Sequence, residues 1–457
     1  MSCEETFRVL ENARSLFFVG IGGISMSSIA VVFKSKGYLV RGSDWAQNDM
    51  TRKLCSEGIH VFHGHDASHI AGADALVYTG AVNEQNPEIA EAKWLGLPII
   101  YRADALGYLM RKYQTRIGIS GSHGKSTCTS MISHVLIASG KDPTVMCGAQ
   151  TAEMGGAYRV GTAKDFVFEA CEYKDSFLSF FPSVSIVLNI DLDHTDYFTG
   201  GIEQIKSSFH KYAMLAFSSE NPLVVANADD ANTVSALDGV EKTTFGIENA
   251  ADYRAENISY NDGHAEFDIA KRGEFFCHVA LSVPGRHNIY NALAACAACD
   301  HAGAAAEDIG RYLSDFAGLS RRFEKKGSVN GADVYIDYAH HPKELVSSIS
   351  AARKMSRGKV ICVFEPHTYS RTAALFDEFS SSFSEADKTF FVDIYAAREV
   401  NTYGVSSAAL AAAVPNGEYA SSYEDAASKI RELAREGDMV LVLGAGTVNE
   451  IADIVVR

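Results

Sequence analysis

A chain of 457 residues has room for about three domains. Forty-one Lys and Arg against 57 Asp and Glu leave a net charge of −16, which excludes nucleic acid or an anionic membrane surface as the main partner. The nine cysteines are scattered, with only Cys296 and Cys299 close together on an expected helix, so neither disulfides nor zinc are expected.

The N-terminus carries acids and does not read as a signal peptide. Phe17 to Phe33 is the longest uncharged run, but Gly20, Gly22, Gly23 and several serines interrupt it, so it does not read as a membrane helix. A reduced, cytoplasmic location is the expectation. In a chain this acidic, a phosphate-rich ligand needs local positive sites.

The first stretch with chemical content is LFFVGIGGISMSSIA, residues 16–30. An apolar strand meets Gly20, Gly22 and Gly23, and a helix follows near Ser25. A second strand ends at Asp44, about where a dinucleotide fold places its ribose acid. The third glycine of G-x-G-x-x-G is Ser25 here. A pyrophosphate-binding βαβ unit is expected, with the loop's backbone N–H groups as donors. Further strands are expected at 59–62, 75–78 and 99–101, and the first domain is placed at 1–112.

Residues 115–140 repeat the logic: a short strand, a Gly/Ser turn, then a helix from Lys125. Gly121, Ser122, His123, Gly124, Lys125, Ser126 and Thr127 form a phosphate loop in which Ile119 replaces the first glycine of the usual pattern. Lys125 would meet the outer phosphates and the Ser126 hydroxyl would ligate Mg²⁺. Two continuous apolar strands follow, as in a parallel sheet covered on both faces. One ends in Glu169 and Glu172, the other runs into Asp191, Asp193 and His194. Glu169 and His194 are candidate metal ligands beside Ser126.

Residues 245–282 read as an antiparallel insert. His287, Asn288 and Asn291 open the next helix, as caps or as a purine site. Arg321 and Arg322 lie in a linker, and the central domain is placed at 113–317. The last domain, 318–457, reads as four strands ending in polar loops between helices, with His340 and His341, then His367 and Arg371, then Arg398 and Glu399, at strand ends. The fold class is therefore α/β in three domains: Rossmann-like, phosphate-loop-containing with a small antiparallel insert, and Rossmann-like again.

Ten blocks in order resemble the Mur ligases of peptidoglycan synthesis: FFVGIGGISMS, YTGAVNEQNPE, GSHGKSTCTS, EACEYKDSF, LNIDLDHTDYF, GRHNIYNALAA, GLSRRFE, DYAHHPKEL, FEPHTYSRT and DIYAAREV. The branch most resembled is the one that adds alanine. The resemblance implies ATP-dependent activation of the muramoyl carboxylate of UDP-N-acetylmuramate as an acyl phosphate, then attack by L-alanine. It assigns Lys125 to the γ-phosphate, Ser126 and Glu169 to one Mg²⁺ and His194 to a second. Asn288, Asn291 and His287 would hold adenine, and Arg322 would reach the nucleotide. His341, His367, Arg371 and Arg398 would face carboxylate and amino acid, with Gly22, Gly23 and Asp44 at the UDP end. A monomer or homodimer is expected. Rival readings are a recycling ligase that attaches a murein peptide to the same acceptor and, more distantly, an NAD-dependent oxidoreductase. The chain departs from the family pattern at Ser25, Ser28, Cys171 and Lys174, and no lysine is assigned as a carbamylated metal bridge.

Overall fold

The computed structural model describes residues 2–456 apart from 84, 152, 153, 195, 196, 262 and 398, and all but the side chain of residue 150 among them. The chain divides into two compact units. One comprises residues 1–254, 270–275 and 291–312, the other 255–269, 276–290 and 313–457. Among the described residues, no helix is long and apolar enough to cross a membrane.

The first unit opens with a five-stranded, all-parallel sheet. Its order is His60–His63, Leu39–Asp44, Ser15–Val19, Ala75–Tyr78, Ile99–Tyr101. The central strand Ser15–Val19 is buried at every position, as expected of a continuous apolar run with helices on both faces. Parallel order sends the carboxyl ends of these strands to one edge, where open α/β sheets bind ligands.

A second, ten-stranded sheet is built around Thr115–Ser120, which pairs in parallel with Asp165–Glu169 on one side and Val184–Val187 on the other. Thus the strands ending at Ser120, Glu169 and Val187 deliver the phosphate loop, the carboxylates and the 189–194 segment to the same end of the sheet. Beyond Asp165–Glu169 comes Thr144–Thr151, in parallel, and then Gly156–Arg159, antiparallel. At the far edge come Tyr253–Asn261, His264–Lys271 and Glu274–Pro284. Between the last two, Arg272 and Gly273 take φ of 53° and 85°, the left-handed pair that suits a tight hairpin.

The second unit holds a six-stranded sheet. Its order is Glu324–Val329, Ala332–Asp337, Met439–Leu443, Val360–Phe364, Lys388–Phe391, Gly417–Tyr419, parallel except for its first pair. Val360–Phe364 and Met439–Leu443 are wholly buried. Two apolar clusters, one on Ile336, Val363 and Ile451, the other on Leu345, Phe364 and Phe391, cover the two faces.

Candidate active site

The phosphate loop has a shape that only its glycines allow. Gly121 and Gly124 take φ of 145° and 86°, and a Cβ at Gly124 would stand 2.6 Å from Asn291 Oδ1. Asn189 clamps the loop: its Oδ1 accepts the His123 N–H at 2.8 Å, and its Nδ2 donates to the His123 carbonyl at 3.1 Å. The His123 ring lies 3.2 Å from Asp191 Oδ2. The first ladder bond of the helix Lys125–Ala138 runs from Cys128 N–H to the Gly124 carbonyl at 2.9 Å. The N–H groups of Lys125, Ser126 and Thr127 precede it, so they and the helix dipole face the loop.

Lys125 is folded back. Its Nζ donates to the carbonyls of Gly121 and Ser122 and meets both oxygens of Glu172 at 3.2 and 3.1 Å. Burial alone would lower the ammonium's pKa, but Glu172, Cys171 and Glu169 outweigh it and raise it. Glu172 had no assigned role from sequence. The available signal was two carboxylates three residues apart at one strand end. His194 Nε2 stands 3.7 Å from Glu172 Oε1, with its ring 4.8 Å from Tyr173.

Around this pair the backbone is strained: Lys174, Asp175 and His194 all have positive φ, between 52° and 56°. Asp175 ties the turn down through the hydroxyls of Tyr197 and Ser208. Strain held this firmly, next to charged groups, points to a functional turn.

Glu169 faces another way. Its Oε1 accepts the Gly148 N–H and lies 3.3 Å from the Cys147 thiol, which in turn is 3.6 Å from the Ser126 carbonyl. Burial and the nearby Glu169 carboxylate push the Cys147 thiol far up, so it stays protonated. A Cβ at Gly148 would approach Glu169 Oε2 to 2.8 Å, so glycine there keeps that oxygen uncovered. A carboxylate oxygen such as Glu169 Oε2 and a hydroxyl such as that of Ser126 are the oxygen donors that a hard cation takes. Among the described residues, no three His, Cys, Asp or Glu side chains are grouped to hold a metal by themselves.

The three residues expected at adenine fall in different surroundings. Asn291 Oδ1 lies against Gly124. Asn288 is buried and donates from its amide to the Pro284 carbonyl at 2.7 Å. His287 Nδ1 is 2.7 Å from Ser347 Oγ. Arg322 lies over the Tyr338 ring at 5.1 Å, while Arg321 bonds the carbonyls of Gly444 and Gly446.

At the first sheet, the N–H groups of Ile24, Ser25 and Met26 precede the first ladder bond of the helix Ile24–Ser35, from Ser27 N–H to the Gly23 carbonyl at 2.9 Å, while those of the glycines before them are bonded within the protein. Gly20 and Ile21 donate to the Ser43 carbonyl at 2.9 and 3.0 Å, Gly22 to Asp44 Oδ2 at 2.8 Å, and Gly23 to the Gly20 carbonyl at 3.3 Å. The end of the second strand takes up the donors of Gly20, Ile21 and Gly22. Asp44 is held by this and by the Ala46 N–H, and it lines a cavity of about 310 Å³ with Gln47, Thr51, Arg52 and His63. Next to it, Trp45 is 72% exposed, with its ring 5.4 Å from His65. His65 is bonded at 2.8 Å to the fully buried Glu88.

In the second unit, His367 stacks on Tyr395 at 5.6 Å and sits 3.4 Å from Arg371. The imidazole that meets it is His340, at 5.8 Å. His341, the residue singled out from sequence, is buried at the start of the helix Pro342–Met355, where Glu344 accepts its N–H. Burial, with His340 and Arg371 adding to it, pushes His367 down to about 4, and burial also lowers His340. Arg398 lies outside the described residues.

Family models match in chain order: "Mur ligase family, catalytic domain" over residues 16–114, "Mur ligase middle domain" over 119–299, and "Mur ligase, glutamate ligase domain" over 321–446. The UDP-N-acetylmuramate–L-alanine ligase of Caldanaerobacter subterraneus is 44% identical over 97% of each chain. Among solved structures, the UDP-N-acetylmuramate-alanine ligase of Thermotoga maritima superposes with a TM-score of 0.81 at 27% identity, covering 97% of this chain and 98% of that one. A murein peptide ligase from Psychrobacter arcticus, at 24% identity, 0.70 and the same coverage, shares the fold.

Proposed function

The chain belongs to the Mur ligase family, and from that we propose that it is an ATP-dependent ligase joining L-alanine to the muramoyl carboxylate of UDP-N-acetylmuramate, acting in the cytoplasm in peptidoglycan precursor synthesis. The carrying observation is the 44% identity, over nearly the full length of both chains, to a ligase of that name. The phosphate loop with Lys125 and Glu172 supplies the chemistry that such a reaction requires.

The carboxylate attacks the γ-phosphorus of ATP, and ADP leaves. The amine of alanine then attacks the acyl phosphate, an amide bond forms, and inorganic phosphate leaves with the amine's surplus proton passing to a base. Two anions must meet in the first step, so the task is mainly positioning and charge neutralisation. Lys125 turns from Glu172 toward the γ-phosphate, and the loop N–H groups of 125–127 hold the other phosphate oxygens. Asn291, beside Gly124, belongs to the nucleotide's surroundings, with His287, Asn288 and Arg322 as further nucleotide contacts. Ser126 and Glu169 would hold Mg²⁺, with His194 and Glu172 at a second cation, and the metal would neutralise phosphate charge when bound. In the second unit His340, His367, Arg371 and Arg398 serve the amino acid and the carboxylate. His341 holds the helix start beside them. Gly22, Gly23 and Asp44 shape the UDP end.

The test is substrate-dependent ADP formation with UDP-N-acetylmuramate and a panel of amines. L-Alanine should be the preferred amine. Turnover only with L-Ala-γ-D-Glu-diaminopimelate would replace this reading with the recycling one.

A further inference from the structure

Glu365 is a carboxylate with only 2% of its surface exposed, two residues before His367, just past the strand Val360–Phe364. Its surroundings are one short loop, residues 444–448, and one tyrosine. Tyr423 donates its hydroxyl proton to Oε2 at 2.5 Å and stands 2.8 Å from Thr447 Oγ1. Oε1 accepts the Val448 N–H at 3.4 Å, and the Gly446 N–H is a further donor to the carboxylate. The carbonyls of the same loop turn to a cation: Arg321 Nη2 donates to those of Gly444 and Gly446 at 3.0 and 2.8 Å. A buried charge is costly unless its hydrogen bonds are filled. Here the loop fills them for both charges, N–H groups to the anion and carbonyls to the cation.

What this clamp holds in place is Gly446. A Cβ there would stand 2.2 Å from Glu365 Oε1 and 2.6 Å from the Tyr395 ring, so the loop backbone is wedged between carboxylate and ring. Tyr395 in turn stacks on His367, and its backbone brackets that residue. The Tyr395 N–H donates to the Pro366 carbonyl at 2.8 Å, and the Thr368 N–H to the Tyr395 carbonyl at 2.9 Å. Thr368 takes φ of 67°, a conformation that a residue with a side chain keeps only where its surroundings impose it. The imidazole thus rests on Tyr395, Tyr395 on Gly446, and Gly446 on Glu365.

We propose that Glu365 is a positioning residue: through Gly446 and Tyr395 it sets the place of His367 for the incoming amino acid. This rests on the ligase reading given above. Glutamine can take over the role. It keeps one oxygen toward the loop's N–H groups, and its NH2 can donate to the Tyr423 hydroxyl, whose proton then turns to Thr447. Alanine leaves the Gly446 and Val448 N–H groups without that acceptor and opens a gap behind the loop.

Steady-state kinetics of wild type, Glu365→Ala, Glu365→Gln and Tyr423→Phe with two amines separate the outcomes. The amines are L-alanine and hydroxylamine, which has no carboxylate and no side chain to be placed. Its nitrogen bonds to the acyl carbon of the acyl phosphate, phosphate leaves with the amine's proton, and a hydroxamate forms. Glu365→Ala should raise the KM for L-alanine about tenfold, and hold the KM for ATP and hydroxamate formation within about twofold of wild type. Glutamine should bring the KM for L-alanine back to within about threefold of wild type. Should the alanine variant unfold, Tyr423→Phe carries the comparison, with a smaller loss of the same pattern. Equal losses with both amines would show a merely structural carboxylate and overturn the proposal. An unchanged KM for L-alanine in Glu365→Ala, or glutamine no better than alanine, would overturn it too. Failure of the ligase reading shows separately, as wild type that forms no ADP with UDP-N-acetylmuramate and either amine.

Discussion

Gly124 shows how one residue can decide a site. With φ of 86° and Asn291 Oδ1 where a Cβ would go, alanine there meets both backbone strain and a clash. Gly124→Ala should destabilise by about 1–2 kcal/mol and raise the KM for ATP well beyond that for UDP-N-acetylmuramate. Equal KM values in wild type and variant would show that the loop does not hold the nucleotide. Glu172→Gln is informative in the opposite sense. It removes the counterion of Lys125 and leaves the ammonium held by carbonyls alone. ATP should then bind as tightly or more tightly while kcat falls, a split that titration and steady-state rates measure together. Lys125 was legible in the sequence because its neighbours form a motif. Glu172 and His340 were not, because adjacency in the chain does not say which of two neighbours turns toward a charge. His340 and His341 share a dipeptide, yet one meets His367 and the other starts a helix.

At the scale of elements, continuous apolar runs gave away the parallel strands, since both faces of those sheets are covered. The hairpin of Thr144–Thr151 and Gly156–Arg159 escaped notice, although it carries Cys147 and Gly148 to Glu169. Its sequence, VMCGAQTAEMGGAYR, breaks alternation with glycines, so no period-two signal survives. The strand-end histidines of the second unit carry a pH consequence. The unfolded chain protonates His367 near its ordinary 6.5, whereas the folded chain keeps it neutral until about 4. Between those values the unfolded state binds more protons, so stability falls as the pH falls through that window. His340, also lowered, acts in the same direction. Replacing His367 by Gln should flatten the decline of the unfolding midpoint between pH 6.5 and 4. An unchanged slope would mean that other groups set it.

At the scale of the whole molecule, three mostly parallel sheets were legible from the order of strand-then-polar-loop segments. The division into two compact units was not, because the edge strands between 253 and 284 contribute to both and no composition change marks the passage. A ligand that binds only the folded chain raises its midpoint by mass action. ATP and UDP-N-acetylmuramate should therefore each raise it separately, and Lys125→Ala should abolish the ATP increment while sparing the other.

Trp45, beside the cavity that Asp44 lines, has one more consequence. The chain has two tryptophans, and both are at the surface, Trp45 at 72% and Trp94 at 79% exposure. Neither indole reports on the apolar interior, so intrinsic fluorescence should change little in emission wavelength on unfolding. A Trp94→Phe protein would leave a single emitter next to the imidazole of His65 and one residue from Asp44, which lines the cavity. Its quenching would read occupancy of that cavity directly, without a label and without turnover.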